Sequence, residues 1–150
     1  MTLENLRKTM QILIVDDSPD DVELFRLALL EGRGEHLLSV AKDGVEALAF
    51  LRHEGQFQTA PRPDIILLDL NMPRKDGREV LAEVKADPDL RRIPVIVLTS
   101  SKSPEDVLKV YALQANCYVA KPVDFLHYVS VAKAIEDFWF GIANLPGTKS

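Results

Sequence analysis

Five polar side chains stand at or just after the ends of apolar runs: Asp16, Asp17, Asp69, Thr99 and Lys121. Three carboxylates gathered into one place cannot all ionise unless something neutralises them. A hard divalent cation with oxygen ligands does so, and magnesium takes one or two carboxylates, several waters and a phosphate oxygen. On that reading Asp17 and Asp69 are the direct Mg2+ ligands, Asp16 acts through water, and the backbone carbonyl of Asn71 completes the protein's share. Such a site suits phosphoryl transfer, where positioning and charge neutralisation supply most of the catalysis. Asp69 is the candidate nucleophile, because a carboxylate can form an aspartyl phosphate. Thr99 can donate its hydroxyl to one phosphoryl oxygen, and Lys121 can pair with another as a point charge.

These residues need a scaffold that brings strand ends together. Gln11–Val15 is rich in β-branched residues and ends at Asp16. Ser18-Pro19 then reads as a helix start, with Ser18 as N-cap, Pro19 at the first helical position and Asp21 where a capping-box acid belongs. Val22, Phe25, Ala28 and Leu29 carry its apolar face, and Gly32 and Gly34 end it. Leu37–Ala41 reads as a second strand, and residues 45–52 as a second helix with Val45, Leu48, Ala49 and Leu51 facing inward. Residues 54–62 form a loop. The continuous apolar runs at 64–68 and 94–98 fit strands covered on both faces, ending at Asp69 and Thr99. Residues 71–77 are turn chemistry, and 79–85 predict a third helix. Ser103-Pro104 opens a fourth helix carried by Val107, Val110, Tyr111 and Leu113. Cys117–Ala120 is a fifth strand, leading to Lys121-Pro122. The last helix spans about 124–142, with Val131, Ile135, Phe138 and Ile142 as its stripe, and a tail follows from Leu145.

Five strands alternating with five helices predict an α/β doubly wound parallel sheet of the flavodoxin-like order 2-1-3-4-5. In that architecture the carboxyl ends of the strands share one rim, where ligands bind. The 150 residues are read as one domain with a core at about 11–142. Hydrophobic residues make up 47%, enough for a core. A net charge of −5 argues against nucleic acid as a partner. No apolar run of about 18 residues is present, so no membrane span is expected. The start of the chain lacks the apolar core of a secretory signal, and the lone Cys117 allows no internal disulfide, so a cytoplasmic protein is expected.

Each residue also has a plain reading. Asp16 and Asp17 could be helix-start acids favoured by the dipole. Asp69 could be a turn acid, Thr99 a strand-end hydroxyl, Lys121 a surface lysine, and Tyr118 a strand aromatic. Their joint placement on one rim favours the chemical reading. His36, His53 and His127 show no metal-ligand spacing and read as surface or helix residues. Cys117 reads as a small core residue. Phe138-Trp139-Phe140 is too aromatic for one helix face, so part is core and part a patch for a partner or a second copy.

Taken together, Asp16-Asp17, Asp69, Thr99 and Lys121-Pro122 resemble the signature of response-regulator (CheY-like) receiver domains. The intervals of 30 and 52 residues from Asp69 to Thr99 and Lys121 resemble that family too, as do Asn71-Met72-Pro73 and Asp76-Gly77. The resemblance implies a phosphohistidine donor on a histidine kinase, a Lys121–Pro122 peptide in cis, and a switch in which Thr99 moves inward and Tyr118 fills the vacated space. Asn71 and Ser101 would tune the phosphoryl lifetime. The long 54–62 connection, Asn116-Cys117-Tyr118 and the aromatic C-terminal segment resemble the single-domain regulators paired with bacterial phytochromes, cyanobacterial ones especially. A homodimer through the surface of the fourth helix, fifth strand and fifth helix is expected, with output by protein contact or by returning the phosphoryl group to a relay.

Three other readings compete. An aspartate-nucleophile phosphohydrolase would share the Asp–Mg2+ pair but places a general acid two residues beyond the nucleophile, where Asn71 stands. A flavin-binding module of similar topology would need a Ser/Thr/Gly-rich phosphate loop where Asp16-Asp17-Ser18-Pro19 stands. A receiver that has lost phosphotransfer and serves as a scaffold would not need the intact polar set.

Overall fold

The computed structural model describes residues 9–32, 35–100 and 103–142, and the side chains of residues 140–142 are outside that description. Gly34, Ser101, the tail from Leu145 and the side chains of Phe140 and Ile142 therefore lie outside the described residues. The described strands are β1 (Gln11–Val15), β2 (Leu37–Ala41), β3 (Ile65–Leu68), β4 (Val95–Thr99) and β5 (Cys117–Ala120). They form one parallel sheet in the order β2-β1-β3-β4-β5, as the alternation predicts. The helices are α1 (Pro19–Leu30), α2 (Gly44–Leu51), α3 (Gly77–Ala86), α4 (Pro104–Ala112) and α5 (Phe125–Ile135), with short 3-10 turns at Gly55–Phe57 and Leu90–Arg92.

Strand pleating sends alternate residues to opposite faces. Leu13, Val15, Ile66, Leu68, Val95 and Val97 pack with residues of α2, α3 and α4 in one core layer. Ile12, Ile14, Ile65, Leu67 and Ile96 pack with α1 and α5 in the other. All four residues of β3 and all five of β4 are buried, as strands covered on both faces must be.

The helix starts follow their caps. Ser18 Oγ accepts from the Asp21 N–H (3.3 Å), and Ser103 caps α4 in the same way. Residues 76–79 do more than turn. Asp76 accepts from the Arg78 and Glu79 N–H groups while the Glu79 side chain accepts from the Asp76 N–H, so α3 begins at Gly77 rather than at 79. Close packing fixes the β3–α3 loop. Gly44 donates to the Lys75 carbonyl (3.0 Å), and a Cβ at Gly44 would collide with that same oxygen. Arg74, in the left-handed region at φ 67°, pairs with Asp43, the N-cap of α2 (2.8 Å).

Five expectations need correction. Tyr111 is half exposed because Val110, one residue earlier, takes the core-facing position of α4. Val45 likewise faces outward on α2; Leu48 and Leu51 pack inward as expected, joined by Ala47 and Phe50. His36 is no surface residue. Its ring is 2% exposed and its Nε2 lies 3.0 Å from Glu136 Oε2. The Lys121–Pro122 peptide is trans, since the described residues hold no cis bond; trans is the lower-energy isomer by about 0.5–1 kcal/mol.

The fifth correction concerns the C-terminus. Beyond α5 the chain continues as a π-helix, Glu136–Ile142. Trp139 packs against the core with Ile135 while Phe138 is 49% exposed, because the inward stripe runs one position away from the one expected through Val131 and Phe138. The buried series is thus Tyr128, Ala132, Ile135 and, partly buried, Trp139. Gly32 makes room for Glu136, whose carboxylate a Cβ there would strike.

Candidate functional site

Backbone hydrogen bonds carry the sheet one residue past its strands and seat the rim. Asp16 donates its N–H to the Ala41 carbonyl (3.0 Å), and Asp69 donates to Val15 (2.9 Å). Lys121 donates to the Thr99 carbonyl (2.8 Å). All five predicted side chains are thereby brought to one edge.

Asp16, Asp17 and Asp69 each present a carboxylate oxygen within 4.8 Å of the others. Asp16 and Asp69 are buried and Asp17 is exposed, so the cluster opens to solvent on one side. Asp69 Oδ1 accepts from the Asn71 N–H (3.3 Å) and its Oδ2 from Lys121 Nζ (3.3 Å). Asp16 Oδ1 accepts from the Ser18 N–H (2.9 Å). An all-oxygen set of this size, partly open to water, fits a hard divalent cation.

Lys121 is the hub. Its ammonium lies 2.8 Å from Asp21 Oδ2, 2.9 Å from Asp16 Oδ2 and 3.3 Å from Asp69 Oδ2. Burial alone would depress its basicity, but the hydrogen bonds to Asp21 and Asp16 and the charges of Asp16 and Asp69 outweigh that and hold it well above the usual lysine range. Burial raises the Asp16 carboxyl, against the Ser18 N–H and Lys121, which pull it down. For Asp21 burial also raises, but the bond and charge of Lys121 win and the carboxyl lies below its ordinary value. Beneath it Tyr128 is fully buried; burial first, and then the charge of Asp21, push its phenol upward.

Asp21 is the residue that sequence reasoning assigned wrongly. It stands three residues after a Ser N-cap, which reads as a capping box. The reciprocal half is missing because Asp16 has already taken the Ser18 N–H, and the Asp21 side chain turns to Lys121 instead. Its place one turn above the rim was the available signal.

Thr99 is fully buried, and among the described residues its Oγ1 has no hydrogen-bond partner. A buried orphan hydroxyl costs stability, and at a rim of acids it fits a donor kept for an incoming anion. Thr99→Val, of nearly equal shape, is therefore expected to raise stability by about 1 kcal/mol in chemical denaturation. An unchanged or lower midpoint would mean that the hydroxyl is already satisfied. Tyr118 is partly buried against the α2–α3–α4 core layer, and its N–H donates to the Tyr111 hydroxyl (3.2 Å), joining β5 to α4. Asn71 has an exposed side chain.

A five-stranded 2-1-3-4-5 sheet with an acidic cluster, a buried hydroxyl and a lysine on its carboxyl rim defines a receiver. The profile of the response regulator receiver domain matches residues 12–133, and the chain belongs to that family. It is 46% identical to the response regulator Rcp1 of Synechocystis sp. over 135 residues, which is 90% of this chain and 92% of the relative. The crystal structure of the phosphorylated cyanobacterial phytochrome response regulator RcpA superposes with a TM-score of 0.89 at 45% identity, covering 93% of this chain and all of that one (100%). The Mn2+-bound form of Rcp1 superposes at 0.86 and 45% identity, covering 92% and 99%. The chain is thus a signalling receiver, and the phosphohydrolase and flavin readings are not favoured.

Proposed function

We propose that the chain accepts a phosphoryl group on Asp69 from the phosphohistidine of a histidine kinase, and that the kinase is a bacteriophytochrome. The observation that carries this is the convergence of three carboxylates, the orphan Thr99 hydroxyl and Lys121 on one rim. The pairing with a phytochrome rests on the likeness to Rcp1 and RcpA.

In the transfer, an Asp69 carboxylate oxygen attacks phosphorus, the new O–P bond forms, and the N–P bond to the donor histidine breaks. Asp17, Asp69 and the Asn71 carbonyl would hold Mg2+ directly and Asp16 through water, and the bound cation would supply the positive charge that lets an anionic nucleophile meet an anionic phosphoryl group. Lys121 gives up its bond to Asp69 and donates to a phosphoryl oxygen. Thr99 turns its hydroxyl to another, and Tyr118 follows into the space that Thr99 leaves. The Tyr118 backbone N–H is bonded to the Tyr111 hydroxyl, so a shift of β5 that accompanies the turn of the Tyr118 side chain reaches α4.

Output runs through a homodimer or a protein target at the α4–β5–α5 surface. Leu108 (72%), Val123 (85%) and Leu126 (76%) are exposed there, and Tyr111 is half exposed. The protein acts in the cytoplasm as a switch rather than a metabolic enzyme, without nucleic acid or membrane as partner. No helix among the described residues is long and apolar enough to cross a membrane. Incubation with a phosphorylated bacteriophytochrome kinase and Mg2+, read by intact mass, is expected to add one phosphoryl group that a chelator prevents. Transfer from unrelated kinases at an equal rate would sink the phytochrome pairing, and no uptake from any donor would sink the reading itself.

A further inference from the structure

We propose that Asp21 is a positioning residue that holds the Lys121 ammonium ready for the phosphoryl group and loosens its hold on the metal-binding carboxylates. The inference rests on the receiver chemistry above and deepens it. Lys121 has three N–H donors and three carboxylate partners, Asp21 the shortest at 2.8 Å. Two of those partners, Asp16 and Asp69, belong to the cation cluster, and Asp21 does not. A bound cation would draw on Asp16 and Asp69, whereas Asp21, on the first turn of α1, lies outside that cluster and has Lys121 as its main charged partner.

Two consequences follow from Coulomb attraction. With Asp21 present, the ammonium is shared three ways and its hold on Asp16 and Asp69 is weakened, so a cation displaces it more easily. Once it is displaced from Asp16 and Asp69, Asp21 still anchors it at the rim, with two N–H groups free, one of them to meet a phosphoryl oxygen. Without Asp21, Lys121 collapses onto Asp16 and Asp69, competes with the cation and loses its anchor.

The test is a double-mutant cycle of Asp21→Asn and Lys121→Met, with Asp21→Glu as the conservative variant. Mg2+ affinity is followed by backbone amide shifts, and phosphorylation by a small acyl phosphate at saturating Mg2+ by intact mass. Asp21→Asn is expected to weaken Mg2+ severalfold and to slow phosphorylation by about tenfold to a hundredfold, the scale of a misplaced group. In the Lys121→Met background the same change is expected to do little to either, and Asp21→Glu is expected to recover part of the rate. Equal losses with and without Lys121 would overturn the proposal, since a merely structural acid acts in both backgrounds. So would wild-type behaviour of Asp21→Asn. A Lys121→Met protein that phosphorylates normally would instead strike at the receiver chemistry on which the proposal rests.

Discussion

Replacing Asp69 by asparagine is expected to abolish phosphoryl uptake outright. The amide cannot form an acyl phosphate, and no neighbouring carboxylate can take over. Asp16 is buried, with Oδ1 bonded to the Ser18 N–H and Oδ2 to Lys121. Asp17 is exposed and is assigned to the cation as a ligand rather than to the phosphoryl group. The fold should survive. Asparagine keeps an oxygen for the Asn71 N–H, and the charge of Asp69, which raises the Asp16 carboxyl, disappears. Lys121 keeps two of its three carboxylate partners. The measurement is intact mass after treatment with an acyl phosphate and Mg2+, with the label tested for release by hydroxylamine as an acyl phosphate requires. A labelled Asp69→Asn protein would move the nucleophile elsewhere and dismantle the assignment of roles at the rim.

The legibility of this chain follows from which physical signals are local. Buried parallel strands must be apolar throughout, so β3 and β4 announce themselves, and the first polar residue after each marks the rim. Asp16, Asp69, Thr99 and Lys121 could be placed on one edge because the crossovers of a doubly wound sheet leave little choice. Asp21 could not, because its role depends on a lysine 100 residues later and on a competing bond from Asp16 to Ser18. The burial of His36 is equally non-local, since it rests on Glu136 across the molecule. The inward turn of Trp139 rather than Phe138 follows the series Tyr128, Ala132, Ile135, Trp139, which has the same helical spacing as the stripe through Val131, Ile135 and Phe138, so spacing alone does not choose between them. Tyr111 was misplaced for a simpler cause: adjacent apolar residues on a helix compete for one inward position, and Val110 holds it.

The geometry of the nucleophile depends on a residue that carries no chemistry. Gly77 opens α3 directly behind Asp69, donating its N–H to the Leu70 carbonyl (2.9 Å). A Cβ at Gly77 would run into the Asp69 carbonyl oxygen and the Leu70 Cα, both backbone atoms that no rotamer change can move. Its φ is not in the left-handed region, so space alone demands glycine here. Gly77→Ala is therefore expected to cost about 3 kcal/mol of stability, the upper part of the range for overpacking. The folded remainder is expected to phosphorylate about a hundredfold more slowly, because relief of the clash must shift the backbone that carries Asp69. Gly55→Ala is the control. Gly55 sits at φ 59° with open space where a Cβ would stand, so conformation alone is penalised, at about 1 kcal/mol, far from the rim. Denaturation midpoints and phosphorylation rates of the two variants separate the causes. Equal stability losses would show that the α3 start yields to a methyl group. A normal rate in Gly77→Ala would show that Asp69 is positioned by its strand pairing to Val15 rather than by the close approach of α3.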